Sequence, residues 1–195
     1  SQYWTETTYT DEANYDVVTR DIASNVFRVY YRNVLRDLLE AKTIIGNEAV
    51  VGVSELAAQN NRILISDILM VYTYQRLVDM FGDVPYTDAL DIDNISPAYD
   101  DGFTIYKDLI NRLDTDINTL DDSNGSFGSD DLYYGGDVSM WIKFANTLKV
   151  KLGITISTVD NTLAKNTVES AYTKGFADGE DCNLSYLGGI NGNPL

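Results

Sequence analysis

The sequence predicts an all-α fold of antiparallel helical hairpins, stacked as a degenerate tetratricopeptide-like solenoid. Three observations point there. Apolar residues recur at three- and four-residue steps through several long segments, the period of an amphipathic helix. Gly-, Pro- and Asp-rich stretches separate those segments, so consecutive helices fold back on one another. Strand-like alternation is scarce. No clean tetratricopeptide signature recurs, which makes the repeat character degenerate.

The opening, "SQYWTETTYTDEANYDVVTR", has no helical period and reads as an irregular surface segment. A first helix is expected from about Asp21 to Ile45, with Phe27, Tyr30, Tyr31, Val34, Leu38 and Ile45 on one broad face and Arg28, Arg32, Arg36 and Glu40 on another. Gly46-Asn47 is its stop. A second helix runs from about Ser54, whose hydroxyl is the expected cap, to Phe81. From Ile63 onward it is apolar on nearly every side, as a central helix packed on several neighbours would be. It ends in "GDVPY", where Gly82 permits a left-handed cap and Pro85 fixes the exit direction.

A loop carrying Pro97 leads to Asp100 or Asp101, either of which can cap a third helix. There Phe103, Tyr106, Ile110, Leu113, Ile117 and Leu120 form the cleanest amphipathic stripe in the chain, with Lys107, Asp108, Asn111 and Asp114 facing water. A Gly/Ser/Asp loop follows. Asp137 caps a fourth helix, buried through Trp141, Phe144, Ala145, Leu148 and Leu152, which frays or continues past Gly153. A fifth spans about Thr162 to Lys174 and stops at Gly175.

Composition narrows the functions available. The chain has 195 residues with 44% hydrophobic content, enough for one core. With 14 Lys+Arg against 30 Asp+Glu, the formal charge is -16, which repels phosphate backbones and argues against nucleic-acid binding. A neutral ligand such as a sugar meets no such penalty. The absence of histidine rules out Ser-His and Cys-His nucleophilic systems and histidine zinc sites within the chain. Cys182 is the single cysteine, so no intrachain disulfide forms. Tyrosine is abundant, 14 against 6 Phe and 2 Trp. Most of these rings are expected in packing, and a few are expected to stack on sugar rings through their flat apolar faces.

Four motifs in order carry a family resemblance. "FRVYYRNVLRDLLEAK", "RILISDILMVYTYQRLVDMFGDVPYTDAL", "SPAYDDGFTIYKDLINRLDTDINTL" and "DLYYGGDVSMWIKFANTLKVKLGI" together resemble the N-terminal half of SusD/RagB-type proteins. These are outer-membrane nutrient-binding lipoproteins of Bacteroidetes. The motifs cover about Val26 to Ile156, and the opening "QYWTETTY" is similar to one branch of the family. The resemblance implies one helical domain over residues 1–195, the N-terminal part of a longer protein. It implies non-catalytic capture of oligosaccharides, or in some members peptides, at the outer face of the outer membrane. Delivery to a SusC-like TonB-dependent transporter follows from it. So does attachment to the membrane through an N-terminal lipid anchor that this chain does not contain.

In starch-binding relatives the loop before the first long helix supplies aromatic platforms and polar partners. The matching position here holds Tyr3, Trp4, Tyr9, Asn14, Tyr15 and Arg20. Trp4 is the foremost ligand candidate, and it equally suits a role anchoring this segment to the helical body. In the "GDVPY" turn, Asp83 and Tyr86 could bond sugar hydroxyls, but helix termination is a sufficient local role for each residue and is the preferred reading. No catalytic residue and no cofactor is expected. Asp121, Asp122, Asn124, Asp130 and Asp131 could offer oxygen ligands to calcium, but Phe127 stands where an EF-hand loop requires glycine. They are read as a solvated acidic loop, and Asp91 and Asp93 likewise. Two further functions stand beside the leading one. One is a helical-repeat protein-interaction module without glycan binding. The other is a carboxylate-dependent glycoside hydrolase.

Overall fold

A computed structural model describes residues 21–184. Within them the chain is helical. α1 (Ile22–Arg28) runs without a break through a π-helical segment (Val29–Leu35) into α2 (Arg36–Gly46). α3 (Val53–Phe81), α4 (Gly102–Thr119), α5 (Val138–Thr155) and α6 (Asn161–Ala171) follow, with a short 3-10 turn at Gly128–Asp130. Successive helices pack as antiparallel hairpins, with α3 at the centre. Among the described residues, no helix is long and apolar enough to cross a membrane.

The expected first helix is therefore one rod of three parts. In the π segment, i→i+5 bonding adds roughly one residue to the turn. That extra residue rotates the register. Leu35, outside the face expected from a 3.6-residue period, is fully buried, while Val34 and Tyr31 are half-buried.

α3 spans 29 residues, roughly 44 Å at 1.5 Å per residue. It is central as expected: Ile65, Ile68, Val71, Tyr74 and Leu77 are at most 2% exposed. Each such Ile, Val or Leu stabilises the fold by about 1.5–3 kcal/mol through burial. Its start differs from the expected cap. The N-cap is Gly52, and the Ser54 hydroxyl donates instead to Asn124 Oδ1 at 2.8 Å. Glu55 reaches back to accept from the Val51 amide at 2.9 Å. Ser54 thus ties the helix to a distant loop, a tertiary role invisible to local capping rules.

α3 also buries polar groups, each with a partner, as interiors require. The Gln59 amide donates to the Ile45 and Glu48 carbonyls at the end of α2. Asn61 donates to the Asp121 and Gly125 carbonyls and accepts from the Asp121 amide, pinning the α4–α5 loop.

The remaining helices follow the sequence closely. Asp101, not Asp100, caps α4 by accepting from the Thr104 amide at 2.8 Å. Tyr106, Ile110, Leu113 and Leu120 are buried on its stripe, with Phe103 and Ile117 packed at the margin. Asp137 caps α5, which continues through Gly153 to Thr155. Gly153 is where α5 meets α6: a Cβ there would lie 2.8 Å from Val168 Cγ2. α6 ends at Ala171, earlier than expected, and turns through Tyr172 towards Gly175.

Candidate functional site

The "GDVPY" turn locks the end of α3 to the start of α4. Gly82 sits at φ 76° and ψ -118°. The positive φ matches expectation, but this ψ is outside the left-handed helical well and is accessible essentially to glycine alone. Asp83 Oδ1 accepts from the Gly102 amide at 2.9 Å. Val84, fully buried, pairs with Asp100 in an isolated antiparallel bridge. The Pro85 carbonyl accepts from the Tyr31 hydroxyl. Asp100 accepts from the amides of Tyr86 and Thr87 and from the Thr87 hydroxyl. These bonds hold the Asp100 carboxyl below the usual carboxylate range.

Beside the turn lies a cleft of about 670 Å³, lined by Tyr74, Tyr86, Asp91, Asp100, Asp108 and Arg112 among others. Arg112, Asp108 and Tyr86 of its wall belong to a network of polar and ionic groups that reaches three helices. Arg112 of α4 donates to Asp67 of α3 from Nη2 and Nε, at 2.8 and 2.9 Å. Lys42 of α2 donates to the same carboxylate. Arg112 Nη1 donates to the Tyr86 hydroxyl at 2.8 Å, and that hydroxyl donates to Asp108. Burial pushes the Asp67 carboxyl up, but the Arg112 fork and the Lys42 ammonium outweigh it and hold it low.

Asp116 lies one helical turn beyond Arg112 and is 4% exposed. Its Oδ2 has no hydrogen-bond partner among the described residues. Burial, then the neighbouring Asp67 charge, push its carboxyl up to about 7. The two carboxylates are thus driven apart in acidity, Asp67 towards its ionised form and Asp116 towards its protonated form.

This network was not legible as a site. One signal could have exposed it: an aspartate inside the apolar run "ILISDILMVY" has no solvent face and must find a cation. The cleft's carboxylates are engaged. Asp100 binds backbone, Asp108 takes the Tyr86 proton donor, and Asp91 accepts from the Asp93 amide.

The acidic loop departs from the solvated reading at one residue. Asp122 and Asp130 are exposed, but Asp131 is 8% exposed. Its Oδ1 accepts from the amides of Tyr133 and Tyr134. Its Oδ2 accepts from the Gly136 amide and, at 2.7 Å, from Trp141 Nε1. The buried indole needs an acceptor, and Asp131 supplies it while folding the loop. Among the described residues, no three His, Cys, Asp or Glu side chains gather as a cation site. The ligand candidates Tyr3, Trp4, Tyr9, Asn14, Tyr15 and Arg20 all lie outside the described residues.

Comparison with known proteins places this architecture. A chitin-binding protein of known structure is 30% identical, with a TM-score of 0.68 over 80% of this chain and 32% of its own. A SusD homologue from Bacteroides uniformis is 26% identical, with a TM-score of 0.69 over 82% of this chain and 32% of its own. A chitin-binding SusD homologue from Flavobacterium johnsoniae is 25% identical, with a TM-score of 0.63 over 76% and 30%. The chain therefore spans about a third of the length of the solved relatives it resembles. Comparison with curated proteins finds no match. A family described as "starch-binding associating with outer membrane" matches residues 1–193, and the chain belongs to that SusD-like family.

Proposed function

We propose that this chain captures neutral oligosaccharides at the cell surface without cleaving them and presents them to a SusC-like TonB-dependent outer-membrane transporter. In this reading it is the N-terminal part of a longer, lipid-anchored protein. The observation that carries it is the 30% identity to a chitin-binding protein across 80% of the chain. The opening segment, with Trp4 foremost and Tyr3, Tyr9, Asn14, Tyr15 and Arg20 around it, supplies stacking faces and hydrogen-bond partners. The helical body is the scaffold and offers part of the transporter-facing surface.

Two features support binding over turnover. The carboxylates lining the cleft, Asp91, Asp100 and Asp108, are committed to backbone amides and a tyrosine hydroxyl, and Asp116, whose Oδ2 has no partner among the described residues, is outside that lining. The net charge of -16 suits an uncharged ligand. The test is sedimentation of the full-length protein with insoluble chitin, starch, cellulose and xylan, together with a reducing-sugar assay on each supernatant. Co-sedimentation with at least one polysaccharide and no release of reducing ends is expected. Release of reducing ends, lost on mutation of an Asp/Glu pair, would establish a hydrolase instead. Co-purification of a barrel transporter with the protein from outer membranes tests the delivery step.

A further inference from the structure

We propose that a second oligosaccharide subsite lies in the groove between the α1–α2 rod and α3, built on Tyr30, Asn33, Asp37, Tyr72, Thr73 and Tyr133. This proposal rests on the glycan-binding reading and adds a site within the helical body, apart from the opening segment.

The groove has a volume of about 490 Å³, within the usual range of small-ligand sites. Its aromatic content is not explained by packing alone. Tyr72 is 39% exposed on a helix whose neighbouring residues Met70, Val71, Thr73 and Tyr74 are all buried. Tyr133 is 42% exposed. Both rings are braced from behind: Tyr72 meets Phe144 with centroids 6.1 Å apart, and Tyr133 meets the buried Trp141 at 6.1 Å. Braced aromatic surfaces present contact area with little rotamer entropy left to lose on binding.

The polar partners are placed by the π segment. Tyr30 and Asn33 belong to it, and Asp37 follows one turn after Asn33. A π segment inside a long helix is uncommon and recurs at functional sites. Here its widened turn sets Tyr30 and Asn33 on the groove wall while Leu35 enters the core. Asn33 and Asp37 are exposed, and neither side chain is engaged by another described residue.

The chemistry selects the ligand class. Tyrosine faces suit the flat C–H faces of pyranose rings with equatorial substituents. An amide beside a carboxylate suits hydroxyl and acetamide groups, which donate and accept. A molecule of net charge -16 repels polyanionic glycans. The occupant is a neutral oligosaccharide of gluco-configured pyranose rings.

The test is calorimetric titration of the full-length protein with chitohexaose, cellohexaose and maltohexaose, using wild type, Tyr72→Ala, Tyr72→Phe, Asn33→Ala and Trp4→Ala. Circular dichroism checks that each variant is folded. For the hexaose that binds best, Tyr72→Ala is expected to weaken binding about tenfold. Tyr72→Phe should retain most affinity, and Asn33→Ala should weaken binding independently of Trp4→Ala. If wild type binds and both Tyr72→Ala and Asn33→Ala bind as tightly, the groove proposal is overturned while the function stands. If no hexaose binds wild type, the glycan reading falls and the groove with it.

Discussion

Arg112 closes a planar fork on Asp67, with Nη2 2.8 Å from Oδ1 and Nε 2.9 Å from Oδ2. The pair joins the middle of α3 to the middle of α4, and Lys42 brings α2 to the same carboxylate. Three helices are thus registered by one side chain. The Asp67 side chain is 12% exposed and that of Arg112 is 23% exposed, so water screens the pair only partly.

Removing Arg112 takes the bidentate fork from the buried Asp67 carboxylate and leaves it to Lys42. Arg112→Ala is expected to destabilise the fold by on the order of 3 kcal/mol, measured by urea denaturation. Arg112→Lys keeps the charge but loses the fork and should fall between that variant and wild type. An Arg112→Ala protein as stable as wild type would remove this pair from any account of the fold.

The raised pKa of Asp116 predicts an unusual pH dependence. The folded carboxyl titrates at about 7, above its unfolded value of 3.8. Between those values the folded state holds more protons than the unfolded state, so this group's contribution to stability falls as pH rises from about 4 to 7. The facing groups are Asp67, whose charge adds to the burial that drives the shift, and Arg112 and Lys42, which oppose it. Asp116→Asn should therefore melt above wild type at pH 8, with the difference shrinking towards pH 5. Parallel melting curves across that range would show that Asp116 is not protonated in the fold.

Asp131 predicts a spectroscopic signature. Its two oxygens accept from three loop amides and from the Trp141 indole. Asp131→Ala leaves those donors without a partner and is expected to cost about 3 kcal/mol. In a Trp4→Phe version of this 195-residue chain, where Trp141 is the remaining indole, emission should shift to the red as the loop opens to water. Unchanged emission would mean that the loop keeps its shape without this carboxylate.

The turn after α3 separates architecture from recognition. Gly82→Val forces a β-branched residue to φ 76° and should cost about 1–3 kcal/mol. Asp83→Ala loses one bond to the Gly102 amide, about 1 kcal/mol, and should leave ligand affinity intact. Loss of affinity in a folded Asp83→Ala protein would move the ligand to the turn.

These residues mark where sequence reading succeeds and fails. The stripe on α4, the cap Asp137 and a cap at Asp100 or Asp101 were legible because their causes are local: a 3.6-residue period, and a carboxylate three or two residues before an orphan amide. The π segment was not, since nothing in "VYYRNVL" breaks the helical period. Ser54 lost its expected cap role to a partner 70 residues away. Asp131 and Asp116 look like surface acids until Trp141 and Asp67 are brought beside them. The groove is similar: Tyr30, Tyr72 and Tyr133 come from three separated segments, and no spacing links them. The opening segment was singled out through family resemblance, and its residues lie outside those the structure describes.

The central claim is that this SusD-like chain belongs to a protein that binds glycan. Its most direct test is calorimetric titration of the intact, full-length wild-type protein with a panel of neutral oligosaccharides, chitin- and starch-derived ones included. Saturable binding to at least one of them, with no change in the sugar recovered afterwards, is the predicted result. No heat of binding to any member of the panel, from protein shown to be folded, would contradict it.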